Sequence, residues 1–180
     1  MVHLSRIYTK SGDSGETWLN HKERVEKSDP LIALIGDIDE ANAFLGNARM
    51  YMTPGDIKSL LLEIQQELFE LGADIVTRSS GDIGVTATPL RISEKDIARL
   101  EANIDKYNEA LPPLNSFIIP SNHLHLARAI VRRAERSAWN ANDIRIETAA
   151  KYLNRLSDLL FVLARVCDLT PEILWKPREQ

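Results

Sequence analysis

From Ser121 to Thr170 the chain contains neither glycine nor proline, and all eight glycines lie within the first 84 residues. In a helix interior glycine costs about 1 and proline about 3 kcal/mol relative to alanine, so the last third of the chain is built for long helices. The remaining punctuation divides the rest. Ser28-Asp29-Pro30 supplies a cap followed by proline at the first helical position, and a helix over about Leu31 to Met50 follows, with Ile32, Ile35, Ile38 and Leu45 on one face. Thr53-Pro54 opens a second with Ile57, Leu60, Leu61, Ile64, Leu68, Leu71 and Ile75 at helical spacing, ending near Thr77. Arg78 to Leu90 reads as a polar loop. Ser93, with Asp96 three residues on, starts a third helix that Pro112-Pro113 ends. A fourth spans about His123 to Trp139, and a fifth runs from a cap at Asp143 to about Leu169, closed by Pro171. Short links make antiparallel neighbours. The expected fold is one all-α domain, an up-and-down five-helix bundle of ferritin-like architecture.

Composition narrows the function. With 22 Lys and Arg against 26 Asp and Glu, the net charge is −4, so general attraction to nucleic acid or an anionic membrane is weak and any polyanion must meet a local basic cluster. No apolar run approaches the ~20 residues of a membrane span. The single cysteine, Cys167, allows no intrachain disulfide and falls in the apolar arc of its helix. Met1 to Arg6 has neither an apolar signal segment nor an organelle leader pattern, and a cytoplasmic location is the expectation.

Such a cluster exists in the fourth helix. At about 100° per residue, Arg128, Arg132, Glu135 and Arg136 fall within an arc of about 100°, with Trp139 on the same face and Arg133 a fourth arginine nearby. A solvated amphipathic face is the ordinary reading of such a pattern. The density of arginine, whose fork suits phosphate, argues for an anionic ligand. In the fifth helix Glu147, Lys151, Asp158 and Arg165 lie within about 60° of Asn154, opposite Leu153, Leu156, Leu160 and Leu163. Asparagine is a poor helix former, so Asn154 reads either as a ligand contact or as a polar link to a neighbouring helix. The N-terminal run Thr9-Lys10-Ser11-Gly12-Asp13-Ser14-Gly15-Glu16-Thr17 can turn amides and hydroxyls toward an anion, although it lacks the spacing of a Walker A loop; Arg24 and Lys27 follow it. Other constellations are absent. There is no Glu-x-x-His of a di-iron bundle and no nucleophile-elbow motif; His123 and His125 diverge on a helix and read as cap or core residues, and Asp37, Asp39 and Glu40 as complements of the helix dipole.

Three separated stretches share one resemblance. Tyr8-Thr9-Lys10-Ser11-Gly12-Asp13-Ser14-Gly15, Arg132-Arg133-Ala134-Glu135-Arg136 and Tyr152-Leu153-Asn154-Arg155-Leu156-Ser157-Asp158 resemble the signatures of the cobalamin adenosyltransferases of the propanediol-utilisation and human mitochondrial type. Weaker echoes are Gly36 to Asn42, Glu67 to Gly72 and Phe117-Ile118-Ile119-Pro120, so the likeness runs from about Ile7 to Trp175.

The resemblance implies a homotrimer with active sites between subunits, transferring the 5′-deoxyadenosyl group of ATP to cob(I)alamin and releasing triphosphate. It divides the chain into an ATP-binding loop over 1–28 and a bundle over 29–175. Thr9, Lys10, Ser11, Gly12, Thr17 and Lys27 would hold the triphosphate with Mg²⁺, and Arg132, Arg133, Glu135, Arg136 and Asn154 would complete the nucleotide site. Arg128 would pair across the subunit interface with Asp39, and Phe117 would pack beneath the corrin and keep a lower ligand off cobalt. A reductase and an adenosylcobalamin-dependent acceptor enzyme are the implied partners. The chain departs from the family pattern twice: Pro120 leads straight through Ser121-Asn122 into the fourth helix, where relatives carry Gly-Gly and several small residues, and Glu16 replaces a small or hydroxyl residue. The alternative left open is a non-catalytic bundle that binds a nucleotide or carries cobalamin.

Overall fold

The computed structural model describes residues 8, 10–19, 23–53, 55–80, 92–143, 146–168 and 171–178. Strands β1 (Glu16–Trp18) and β2 (Arg24–Glu26) form an antiparallel pair, Thr17 opposite Val25, ahead of five helices. These are α1 (Pro30–Met50), α2 (Asp56–Ser80), α3 (Glu94–Asn108), α4 (His123–Asn140) and α5 (Glu147–Val166). The five-helix expectation holds, and the small hairpin is an addition to it.

The helix starts follow their caps. The Asp29 carboxylate accepts the Leu31 N–H at 2.8 Å beside Pro30. Ser93 donates its backbone N–H (2.8 Å) and hydroxyl (2.7 Å) to Asp96. Asn122 accepts from Leu124 N and His125 N and donates to the Ala164 carbonyl at 2.9 Å, tying the start of α4 to the end of α5. Histidine capping of α4, one of the two expected roles for His123 and His125, is thereby corrected: the asparagine does it, His123 stacks on Tyr51 at 4.2 Å and His125 is buried edge-on to Phe161. Two boundaries also differ. Helix α2 continues three residues past Thr77 to Ser80, and the rest of the expected polar loop, residues 81–90, lies outside the described residues. Helix α5 begins at Glu147 and not at a cap on Asp143.

Helix α4 packs between α1 and α5, with α2 against α1 and α3 against α5. The leucine stripe of α2 (Leu61, Ile64, Leu68, Leu71) and that of α5 (Leu153, Leu156, Leu160, Leu163) meet in one continuous core. Polar links join helices across it. Tyr152 donates its hydroxyl to Glu67 at 2.6 Å while Arg99 pairs with the same carboxylate, and Asn42 and Gln65 bond each other's side chains and backbone. Beyond α5 the chain returns as an extended segment, residues 171–178, and pairs at Leu174 with Ile118. No described helix is long and apolar enough to cross a membrane.

Helix α1 corrects two expectations. Its apolar residues do not form one stripe: Leu34, Ile38, Ala41 and Leu45 are buried, whereas half-buried Ile32 lines a surface groove of about 480 Å³ with Phe69 and Val76 of α2, and Ile35 lies between, against both core and groove. Asp37 and Glu40 lie too far along the helix to complement its dipole. They face α4, where they pair with Arg133, and Asp37 also accepts from the Ser137 hydroxyl at 2.5 Å.

Candidate active site

The N-terminal loop is shaped by its glycines. Gly15 sits at φ +87°, a region glycine enters without strain, and its carbonyl accepts the Lys27 N–H at 2.8 Å, which brings the end of β2 back to the loop. Gly12 leaves room for the same lysine: a Cβ there would lie 3.1 Å from Lys27 Nζ. Arg24 donates to the Ser11 carbonyl at 2.8 Å and pairs with Glu16 at 3.5 Å, so the unusual acid is occupied by a neighbouring cation. Lys10, at φ +60°, is exposed. Thr9 lies outside the described residues. Lys10, Ser11 and Gly12 thus lie on one loop, with Thr17 on β1 and Lys27 just past β2 beside it, and neither lysine is ion-paired among the described residues.

Helix α4 sorts its arginines by angle. Arg133, about 140° from Arg128 around the helix, points at α1 and is bound there by Asp37 (3.1 Å) and Glu40, and these acids raise its pKa. It is a helix–helix fastener within one chain. Arg132 is exposed and its guanidinium has no partner among the described residues; Arg136, also exposed, donates to the Arg132 carbonyl at 3.2 Å, with half-buried Glu135 one position before it. On α5, Asn154 is exposed, and its side chain makes no hydrogen bond to another described residue. Among the described residues no link from Asn154 to a neighbouring helix is present, and the side chain faces solvent. Arg165 is corrected: grouped by angle with Asn154, it is buried at 8% exposure, held by Glu172 at 2.6 Å and donating to the Pro112 carbonyl at 2.8 Å.

A cavity of about 510 Å³ opens beside this face, lined on one wall by Phe117, Ile118 and Pro120 and on the other by His125, Arg128, Asp158 and Phe161. Phe117 projects at 79% exposure, and Trp175 meets it edge-on with ring centroids 6.4 Å apart. The Arg128 guanidinium lies 5.3 Å over the Phe161 ring; burial, then Arg132, lowers its pKa, and Asp158 opposes this. Asp158 is steadied by Arg155 at 2.8 Å, itself held by Glu101 of α3. His125 lies below its ordinary pKa because of burial and then the charge of Arg128. Asp39, by contrast, is exposed on the α1–α2 groove and pairs with no described residue. The sequence reading missed the cavity positions of His125, Asp158 and Phe161 and the contact of Trp175 with Phe117; the only signal was the helical offset of Asp158 and Phe161 from Asn154.

A helical bundle that sets the Arg128 guanidinium in a cavity between Phe117 and Phe161, with exposed Arg132 one turn further along the same helix, has the makings of a site for an anionic ligand beside a large apolar one. The chain is a member of the cobalamin adenosyltransferase family, whose profile matches residues 7–167. It is 46% identical to the corrinoid adenosyltransferase of Mycobacterium tuberculosis, over 98% of this chain and 95% of that one, and 37% identical to that of Citrobacter freundii, over 94% and 99%. Among solved structures, a variant of the PduO-type ATP:corrinoid adenosyltransferase from Lactobacillus reuteri complexed with cobalamin and ATP superposes with a TM-score of 0.86 at 30% identity, covering 96% of this chain and all of that one.

Proposed function

We propose that the protein transfers the 5′-deoxyadenosyl group of ATP to the cobalt of cob(I)alamin. Cobalt(I) supplies the electron pair for the new cobalt–carbon bond; the C5′–oxygen bond breaks and its pair leaves with triphosphate. The substrate is its own nucleophile, which accounts for a site without a serine, cysteine or base array. The protein's work is alignment, worth about 7–11 kcal/mol when complete, and cationic stabilisation of the leaving group, about 3–4 kcal/mol per preorganised donor.

The observation that carries this reading is the exposed Arg132, without a side-chain partner among the described residues, one helical turn from the Arg128 that lines the cavity with Phe117, in a chain of this family. Lys10, Ser11, Gly12, Thr17 and Lys27, together with Thr9, would bind the triphosphate; Arg132, Arg136, Glu135 and Asn154 would hold the nucleotide, with Arg133 behind them fixing α4 to α1. Mg²⁺ would accompany the triphosphate at that loop, where phosphate oxygens are its natural ligands. Phe117 would press on the lower face of the corrin. Subunits would associate as a homotrimer through the apolar α1–α2 groove. Among the described residues Asp39 at that groove pairs with no cation and Arg128 with no carboxylate, which suits pairing between subunits. A reductase must supply the cobalt(I) state, and the absence of a disulfide framework suits a cytoplasmic setting.

The test is incubation with ATP, Mg²⁺ and chemically reduced cobalamin. A light-sensitive alkylcobalt product with stoichiometric triphosphate is expected. Tight cobalamin capture with ATP left intact would refute transfer and favour a carrier.

A further inference from the structure

Phe117 is poorly held by its own surroundings. Its ring is mostly exposed, and it sits on the irregular segment between Pro112-Pro113 and Asn122. What fixes it is the returning C-terminal segment. The Trp175 N–H donates to the Phe117 carbonyl at 2.7 Å, the Ile119 N–H donates to the Ile173 carbonyl at 2.8 Å, and the Ser116 hydroxyl donates to the Trp175 carbonyl at 2.7 Å. Trp175 adds the only ring contact that Phe117 makes among the described residues. The tail is anchored from inside: buried Arg165 binds Glu172 with Nε and the Pro112 carbonyl with Nη2, so one guanidinium holds the root of the tail and the root of the Phe117 segment together.

We propose that residues 172–175 are a positioning strand for Phe117, with Trp175 as its principal residue, and that this strand sets how well the protein handles corrinoids carrying a lower base. The inference rests on the reading of the cavity as a corrin site and deepens it. A ring that must displace a ligand from cobalt has to resist being pushed back. An exposed phenylalanine on a short irregular segment resists only as far as its backbone is pinned, and here the pins are three hydrogen bonds from the tail. A corrinoid without a lower base asks for no such resistance.

The discriminating experiment compares cobalamin with cobinamide, which has no lower base, using full-length Trp175→Pro, Trp175→Ala and Trp175→Phe. Trp175→Pro removes both the ring and the N–H donor; it should lose about tenfold in kcat with cobalamin and less than about twofold with cobinamide, at unchanged KM for ATP. Trp175→Ala should fall between, and Trp175→Phe should restore the wild-type ratio. Because Trp175 is half exposed, these variants keep their core. Should Trp175→Pro fail to fold, Trp175→Ala combined with Ser116→Ala carries the same comparison. Equal losses on the two corrinoids, or none on either, would overturn the proposal. The optical spectrum of bound cob(II)alamin separates this failure from that of the parent reading: it reports whether the lower base stays on cobalt without needing turnover. A wild type that binds cobalamin base-off but never alkylates it would refute transfer while leaving the strand's role supported. A variant spectrum identical to wild type would refute the strand's role.

Discussion

Replacing each of two adjacent arginines separates fastening from chemistry. Arg133 makes two charge-assisted contacts, to Asp37 and Glu40, at a half-exposed position on the α1–α4 seam. Exposed pairs contribute about 0.2–1 kcal/mol each, so Arg133→Ala should cost about 1 kcal/mol. It also leaves two acids on α1 without their counter-ion. For a domain of 180 residues, that lowers the melting temperature by about 2–4 °C. Arg132 has no partner among the described residues, and Arg132→Ala should change stability by no more than about 0.5 kcal/mol. Its functional cost is of the other kind. Losing one preorganised donor to the departing triphosphate should lower kcat by about 10²–10³. The assay is a melt of each variant beside single-turnover adenosylation at saturating ATP and cob(I)alamin. Asp37→Asn should partly reproduce the loss in Arg133→Ala, and the double variant should lose less than the sum. A large melting-temperature drop in Arg132→Ala, with Arg133→Ala unaffected, would refute this assignment of the two side chains.

Three further outcomes follow from single contacts. Gly12→Ala places a Cβ 3.1 Å from Lys27 Nζ and should displace that lysine, weakening ATP binding several-fold by calorimetry while the melting temperature holds. Tyr152→Phe removes the hydroxyl that donates to Glu67 from a buried ring; about 1–2 kcal/mol of stability should be lost in a denaturant titration, with turnover unchanged. His125 sits against Phe161, with Arg128, Asp168 and Glu172 around it, and its folded pKa lies below 6.5. Between that lowered value and 6.5 only the unfolded chain takes up the proton, so this stability is complete above pH 6.5 and is lost as pH falls. Melting temperatures from pH 7 to 5 should therefore fall more steeply for the wild type than for His125→Gln.

How much of this was legible in the sequence depended on whether the cause was local. Helix starts are local: Asp29-Pro30 and Ser93 with Asp96 are short-range capping chemistry, and four of the five helices begin within two or three residues of where the sequence put them, although the cap of α4 is Asn122 and not a histidine. The start of α5 slid four residues past Asp143, into a stretch where propensity gave no sharp stop. Angle alone grouped Arg165 with Asn154, but Arg165 lies near the end of α5, where the returning tail covers it. Nothing in the periodicity of α5 announces Glu172 or Pro112 as its partners, because those contacts depend on where a loop and a tail meet. The same holds for the α1 acids: three carboxylates in four residues look alike in sequence, yet Asp37 and Glu40 face α4 while Asp39 faces the groove.

That division on α1 and α4 carries a consequence for the site. Helix α4 uses one side to fasten itself to α1, through Arg133 and Ser137, and leaves Arg132 exposed on another, where the proposed nucleotide would bind. A helix carrying cations for a triphosphate would otherwise be held apart from its neighbours by their mutual repulsion. Here the nearest arginine outside the ligand face is neutralised by two acids. Arg128 is calmed in a different way, by lying over Phe161 with Asp158 close by, so it keeps its charge without an ion pair among the described residues. The chain's overall negative charge is thus compatible with an anion site: acids are spent locally to seat the helix, and the uncompensated positive charge is left where the nucleotide would arrive.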